Sequence, residues 1–137
     1  CTDPQWVISM IHRFGADRIV VGIDAKDGMV ATQGWVETST TPATTLAKSL
    51  VAQGLRWIVH TDVSTDGAME GPNLDAQREM SLAVPTCNII ASGGVSCAED
   101  IVELRELSIE CPNIEGVIVG KALYEKTIEL SSVLENS

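Results

Sequence analysis

Four places along this chain set polar or bare-backbone residues where apolar runs stop. The run Arg18-Ile19-Val20-Val21-Gly22-Ile23 ends at Asp24, and Trp57-Ile58-Val59-His60 ends at Thr61-Asp62, with Asp66 shortly after. Asn88-Ile89-Ile90-Ala91 ends at Ser92-Gly93-Gly94, and Gly116-Val117-Ile118-Val119 ends at Gly120-Lys121. Glycines let backbone N–H groups approach an anion closely, and a lysine at the start of a helix adds a cation. Ser92, Gly93, Gly94, Gly120 and Lys121 are therefore expected to bind phosphate, tight turns being the plainer reading of the glycines. A carboxylate that closes an apolar strand, as Asp24 does, points to function more than to structure. Asp66, placed before Gly67, also suits a simple turn.

The elements that must hold these residues alternate. Trp6, Val7, Met10, Ile11 and Phe14 follow a helical spacing that stops at Gly15, and the strand Arg18 to Asp24 comes next. Ala25 to Thr41 reads as a long polar connection containing Asp27-Gly28 and Gly34-Trp35. Pro42 to Gln53 predicts a helix closed by Gly54, and Trp57 to Asp62 the next strand. After a glycine-bearing loop, Asn73 caps a helix through about Leu82, and Asn88 to Ser92 forms a third strand. Ser96, with Glu99 in a capping box, starts a helix from Cys97 to about Leu107, and Gly116 to Val119 is the last strand. Lys121 to about Leu134 is expected to form a closing helix. At the other end, Cys1-Thr2-Asp3-Pro4 reads as a loop entering a helix cap, with Asp3 as the cap, so structure is expected to precede it.

Helix and strand thus alternate through about four units, which calls for parallel strands joined by right-handed crossovers. The expected fold class is α/β, the C-terminal half of a (β/α)₈ barrel, with residues 1–137 as a single half-barrel domain. A complete barrel needs about 250 residues, and its chemistry gathers at the C-terminal ends of the strands, where these polar residues lie. In such barrels the loops after the seventh and eighth strands often hold a phosphate. A doubly wound sheet is the alternative, weakened because the chain has no G-x-G-x-x-G pattern.

Composition narrows the function classes. Only 4% of the 137 residues are aromatic while 45% are hydrophobic, so Val, Ile, Leu and Ala must build the core, as in parallel strands covered by helices. The formal charge of −10 leaves no basic field for a nucleic-acid backbone, and the apolar stretches are far too short to span a membrane. Cys1, Cys87, Cys97 and Cys111 are scattered without metal-ligand or disulfide spacing, and His12 and His60 stand apart from them. The reading is a cytoplasmic protein with reduced thiols.

Six stretches carry a more specific likeness. They are Val21-Gly22-Ile23-Asp24-Ala25-Lys26-Asp27-Gly28, Gly34-Trp35-Val36-Glu37-Thr38-Ser39, His60-Thr61-Asp62-Val63-Ser64-Thr65-Asp66-Gly67, Gly71-Pro72-Asn73-Leu74, Ala91-Ser92-Gly93-Gly94-Val95-Ser96 and Gly116-Val117-Ile118-Val119-Gly120-Lys121-Ala122-Leu123-Tyr124-Glu125. In order and spacing they resemble the C-terminal half of the phosphoribosylformimino-5-aminoimidazole carboxamide ribotide isomerase family of histidine biosynthesis. The resemblance implies an Amadori rearrangement of an aminoaldose to an aminoketose, by acid–base catalysis without metal or cofactor, on a phosphorylated ribosyl aminoimidazole carboxamide. One essential aspartate of the family lies in its N-terminal half. Here the resemblance makes Asp24 and Asp66 the candidates for general acid or its electrostatic support, Thr61 a residue that hydrogen-bonds the sugar, and Trp35 the loop ring that stacks on the imidazole.

The sister cyclase subunit of imidazole glycerol phosphate synthase is the nearest rival, and a silent phosphate-binding half-barrel is another. The Gly34-Trp35 loop and Gly71-Pro72-Asn73-Leu74 favour the isomerase. Two departures from the family pattern are Thr65, where arginine is common, and Ser108 to Glu115, which reads as a longer connection than usual. A half-barrel exposes edges and an apolar face, so pairing with a second copy or with an N-terminal half is expected, through residues among Val20, Ile23, Ile58, Ile90, Ile118 and Val119. On this reading the fragment alone turns over weakly or not at all.

Overall fold

The computed structural model describes residues 4–32, 37–64 and 71–120. Helix α1 (Pro4–Phe14) opens on a proline, whose missing N–H is harmless in a first turn. It stops at Gly15, where φ is 90° and the N–H donates to Ile11 O at 2.8 Å. A 3-10 turn over Ala16–Arg18 delays the first strand, β1 (Val21–Lys26), which begins later and runs further than the apolar stretch suggests.

The expected polar connection from Ala25 to Thr41 is instead largely sheet. Asp27 and Gly28 both take positive φ, 53° and 82°, the backbone of a two-residue turn whose twist matches that of the strands it joins. Strand β2 (Met29–Thr32) therefore folds back antiparallel on β1, pairing Val30 with Ala25 and Met29 with Lys26. Strand β3 (Glu37–Pro42), rich in β-branched threonine, pairs antiparallel with β2.

From there the alternation follows expectation. Helix α2 (Ala43–Ala52) is succeeded by Gly54 at φ 110°, then β4 (Trp57–Asp62), α3 (Leu74–Ala83) and β5 (Asn88–Ser92). Asn73 caps α3, its side chain accepting from Ala76 N at 3.1 Å. Helix α4 (Ala98–Glu110) is capped one residue later than expected, at Cys97, because Asp100 rather than Glu99 folds back to accept from the N–H groups of Cys97 and Ser96. The helix also runs to Glu110, and strand β6 (Ile114–Val117) begins before Gly116. The apparently long connection Ser108 to Glu115 is thus the last turn of α4, the link Cys111 to Asn113 and the start of β6. Asn113 anchors that short link, its amide donating to Ser81 O, Val84 O and Cys87 O at 3.0 to 3.2 Å. The closing helix from Lys121 and the cap Asp3 lie outside the described residues.

The strands form one six-stranded sheet in the order β3-β2-β1-β4-β5-β6. Strands β1, β4, β5 and β6 are parallel, and the β2–β3 hairpin extends their edge. Alternation along the strands separates two faces. Ile23, Ile58 and Ile89 are buried with Ala47 and Leu50 of α2, Met80 of α3, and Leu104 and Leu107 of α4 in one core. Residues between them, such as Gly22, Val59 and Ile90, look the other way. Among the described residues no helix covers that second face, which fits half of a barrel and not a doubly wound sheet. The residues expected to drive pairing divide accordingly. Ile23 and Ile58 are sealed under helices, whereas Val20 and Ile118 stay 49% and 45% exposed.

Candidate functional site

Parallel pairing sets the register at the C-terminal end of the sheet. Asp24 of β1 is the partner of Thr61 of β4, and Thr61 is the partner of Ser92 of β5. All three fall on the helix-free face, because their strand neighbours Ile23, Ala25, His60 and Ala91 are buried on the other. A carboxylate and two hydroxyls thus stand side by side across three strands. Thr61 is itself buried, and Val63 N donates to Ala25 O at 2.9 Å, which carries the β1–β4 ladder past the site and fixes its geometry.

Next to Ser92, Gly93 and Gly94 are buried at φ 101° and 80°, conformations that side-chain-bearing residues rarely adopt. The strand therefore turns sharply, with bare backbone at its end. The neighbouring N-terminus of α4 is already occupied by the Asp100 carboxylate, which accepts from Ser96 N and Ser96 Oγ, both at 2.8 Å, and from Cys97 N at 3.2 Å. Burial opposes ionisation of Asp100, but these donated hydrogen bonds outweigh it and hold the carboxyl below its ordinary value. The Ser96 and Cys97 N–H groups are thus already taken, and the glycine turn is the bare backbone left beside Ser92. Gly120 lies beyond the end of β6 and is exposed. Trp35, Asp66 and Lys121 lie outside the described residues, so of the expected site Asp24, Thr61, Ser92, Gly93 and Gly94 are brought to one corner.

On the helix side the same strand ends carry residues to which sequence reasoning assigned no role. His60 is 3% exposed, its Nδ1 is 3.0 Å from Gln77 Oε1, and Gln77 Nε2 donates to His60 O at 3.1 Å. Burial lowers the His60 pKa, with the Gln77 bond and the charges of Asp62 and Asp24 working against the shift. Asp62, 5% exposed, accepts from Ser64 N at 2.9 Å, from the Ser64 hydroxyl and from Asn73 Nδ2. A polar residue inside an apolar strand was the available signal for His60, and strand parity for Asp62. A cavity of about 320 Å³ lies elsewhere, between α4 and β6, lined by Ile101, Leu104, Ile114 and Val117 among others, and takes no part in this corner. No helix among the described residues is long and apolar enough to cross a membrane.

Comparison with known proteins places the chain among relatives. The chain is 48% identical over 130 residues to the 1-(5-phosphoribosyl)-5-((5-phosphoribosylamino)methylideneamino) imidazole-4-carboxamide isomerase of Lachnoclostridium phytofermentans, covering 95% of this chain and 52% of that protein. To the isomerase of the same name from Opitutus terrae it is 46% identical over 130 residues, covering 95% and 53%. To that of Synechococcus sp. (strain WH7803) it is 50% identical over 127 residues, covering 93% and 48%. The chain spans about half the length of the curated relatives it matches, and corresponds to their C-terminal half. The family model described as "Histidine biosynthesis protein" matches residues 1–129. With parallel strands covered on one face and polar residues gathered at their C-terminal ends, the chain belongs to the histidine biosynthesis protein family, a family of (β/α)₈ barrels.

Proposed function

We propose that this chain is the C-terminal half-barrel of an enzyme catalysing the Amadori isomerisation of the aminoaldose ProFAR to the aminoketose PRFAR in the cytoplasm. The observation that carries the reading is the row Asp24, Thr61 and Ser92, in register on the open face of three parallel strands. The reaction opens a ring and moves a proton between adjacent carbons, so it needs an acid and a base whose pKa values are held apart by their surroundings. Asp24 supplies one such group or its electrostatic support, together with Asp66 from the loop after β4. The partner carboxylate comes from an N-terminal half, which covers the open face. Thr61 hydrogen-bonds the sugar, and Trp35 stacks on the imidazole. One substrate phosphate sits at Ser92, Gly93 and Gly94, completed by Gly120 and Lys121. The isomerase name borne by the relatives favours this reading over the sister cyclase.

The test is an isomerase assay of the chain alone and of the chain joined to the N-terminal half of a relative such as the Lachnoclostridium protein. The joined barrel is expected to turn over ProFAR and the isolated chain scarcely at all. A joined barrel that folds, binds phosphate and leaves ProFAR unchanged contradicts the proposal.

A further inference from the structure

We infer that Asp62 is a positioning residue for this reaction: one carboxylate ties together the two ends of the connection that carries Asp66. The inference rests on the isomerase reading for its consequence, but its geometry stands independently. The Asp62 side chain lies on the helix face of β4, one residue beyond Thr61 and on the opposite side of the sheet. Its Oδ1 accepts from the N–H and hydroxyl of Ser64, where the chain leaves the strand. Its Oδ2 accepts from Asn73 Nδ2, where the chain enters α3. The two ends of the connection are thereby held within reach of a single buried carboxylate.

Asn73 serves both ends of this arrangement at once. Its amide nitrogen donates to Asp62 while its Oδ1 accepts from Ala76 N, so its orientation is fixed by two requirements. Nearby, Gly71 takes φ 97°, and a Cβ there would come within 3.6 Å of Asp100 Oδ1. The far end of the connection therefore lies against the first turn of α4, beside the glycine corner. Asp62, Asn73 and Gly71 set where the connection starts and finishes relative to Thr61 and Gly93. A carboxylate suits this arrangement, since the Ser64 N–H, the Ser64 hydroxyl and the Asn73 amide all donate to it.

Asp62→Asn separates positioning from folding. The new amide retains an acceptor for Ser64 but turns a donor towards the donor of Asn73. If Asn73 flips to accommodate it, the cap on Ala76 N is lost. Adding Asn73→Asp restores a donor–acceptor pair and keeps a good cap, because aspartate caps as well as asparagine. Hydrogen exchange of this chain under native conditions is expected to be about tenfold faster for the segment 63–74 in Asp62→Asn and to return near the original rate in Asp62→Asn/Asn73→Asp. In the joined barrel, kcat per folded molecule is expected to drop about tenfold in the single variant, with little change in KM, and to recover in the double. Unchanged exchange in the single variant, or no recovery in the double, overturns the inference. So does an unchanged kcat in a joined barrel whose parent is active. A parent barrel with no turnover counts against the isomerase reading instead, and the exchange data then decide the tie alone.

Discussion

The two faces of this sheet share the same strands and serve opposite ends. On the covered face, Ile23, Ile58 and Ile89 are sealed under helices, and the polar residues there, His60, Asp62 and Gln77, are buried and matched by hydrogen bonds. On the helix-free face, Gly22, Val59 and Ile90 are more exposed and lead up to Asp24, Thr61 and Ser92. Moving one residue along a strand exchanges the covered face for the open one, because side chains alternate with period two. Thr61 and Asp62 are the sharpest instance, adjacent in sequence and on opposite sides of the sheet.

The largest contrast is expected from neighbours in the middle of β4. Ile58→Ala removes a fully buried side chain under the helices and should cost about 3 kcal/mol, whereas Val59→Ala on the open face should cost well under about 1 kcal/mol. Urea unfolding of the two variants measures the difference. Equal losses would mean that the second face is as tightly packed as the first.

A smaller effect separates the matched polar residues of the covered face. Gln77→Leu leaves His60 Nδ1 and His60 O without their partner in the interior and should cost about 1–3 kcal/mol by the same measurement. Acid should weaken this face as well. Burial holds the folded His60 below its ordinary value of 6.5, so below that pH the unfolded chain binds more protons than the folded one. The contribution of His60 is complete above about pH 6.5 and is lost as the pH falls. Thermal unfolding between pH 7 and 5 should show the decline, and His60→Gln should flatten it. A slope that persists in that variant assigns the sensitivity elsewhere.

The least effect is expected at Gly22. A Cβ there meets nothing within 4 Å and the φ is not positive, so Gly22→Ala should change the stability of this chain by less than about 0.5 kcal/mol. The same change at Gly93, with φ 101°, should be clearly destabilising. The comparison asks only for the two unfolding midpoints.

Much of this was legible in the residues. The bounds of β4 and β5 follow from apolar runs closed by Asp62 and by Gly93-Gly94, and the stop of α1 from Gly15. The Asp27-Gly28 hairpin reads as part of a polar loop although its dipeptide is a strong turn signal, because β2 has only four residues and the β3 that follows is mostly threonine and serine. Sequence reading ends α4 near Leu107 and takes Ser108 to Glu115 as a connection, whereas the helix continues to Glu110. At the candidate site, the residue types at the strand ends point to Asp24, Thr61 and Ser92, and only the register shows that they form one row. Asp62 and Asn73 were legible as a strand end and a cap. Their pairing across 11 positions of sequence depends on tertiary placement, which local pattern does not encode.

The central claim is that the open face is the reacting interior, and Asp24 tests it most directly. In the joined barrel, Asp24→Asn should lower kcat by about 10²-fold or more while leaving the unfolding midpoint nearly unchanged, since its side chain lies off the covered core. Near-normal turnover in that variant would contradict the assignment of this face to the chemistry.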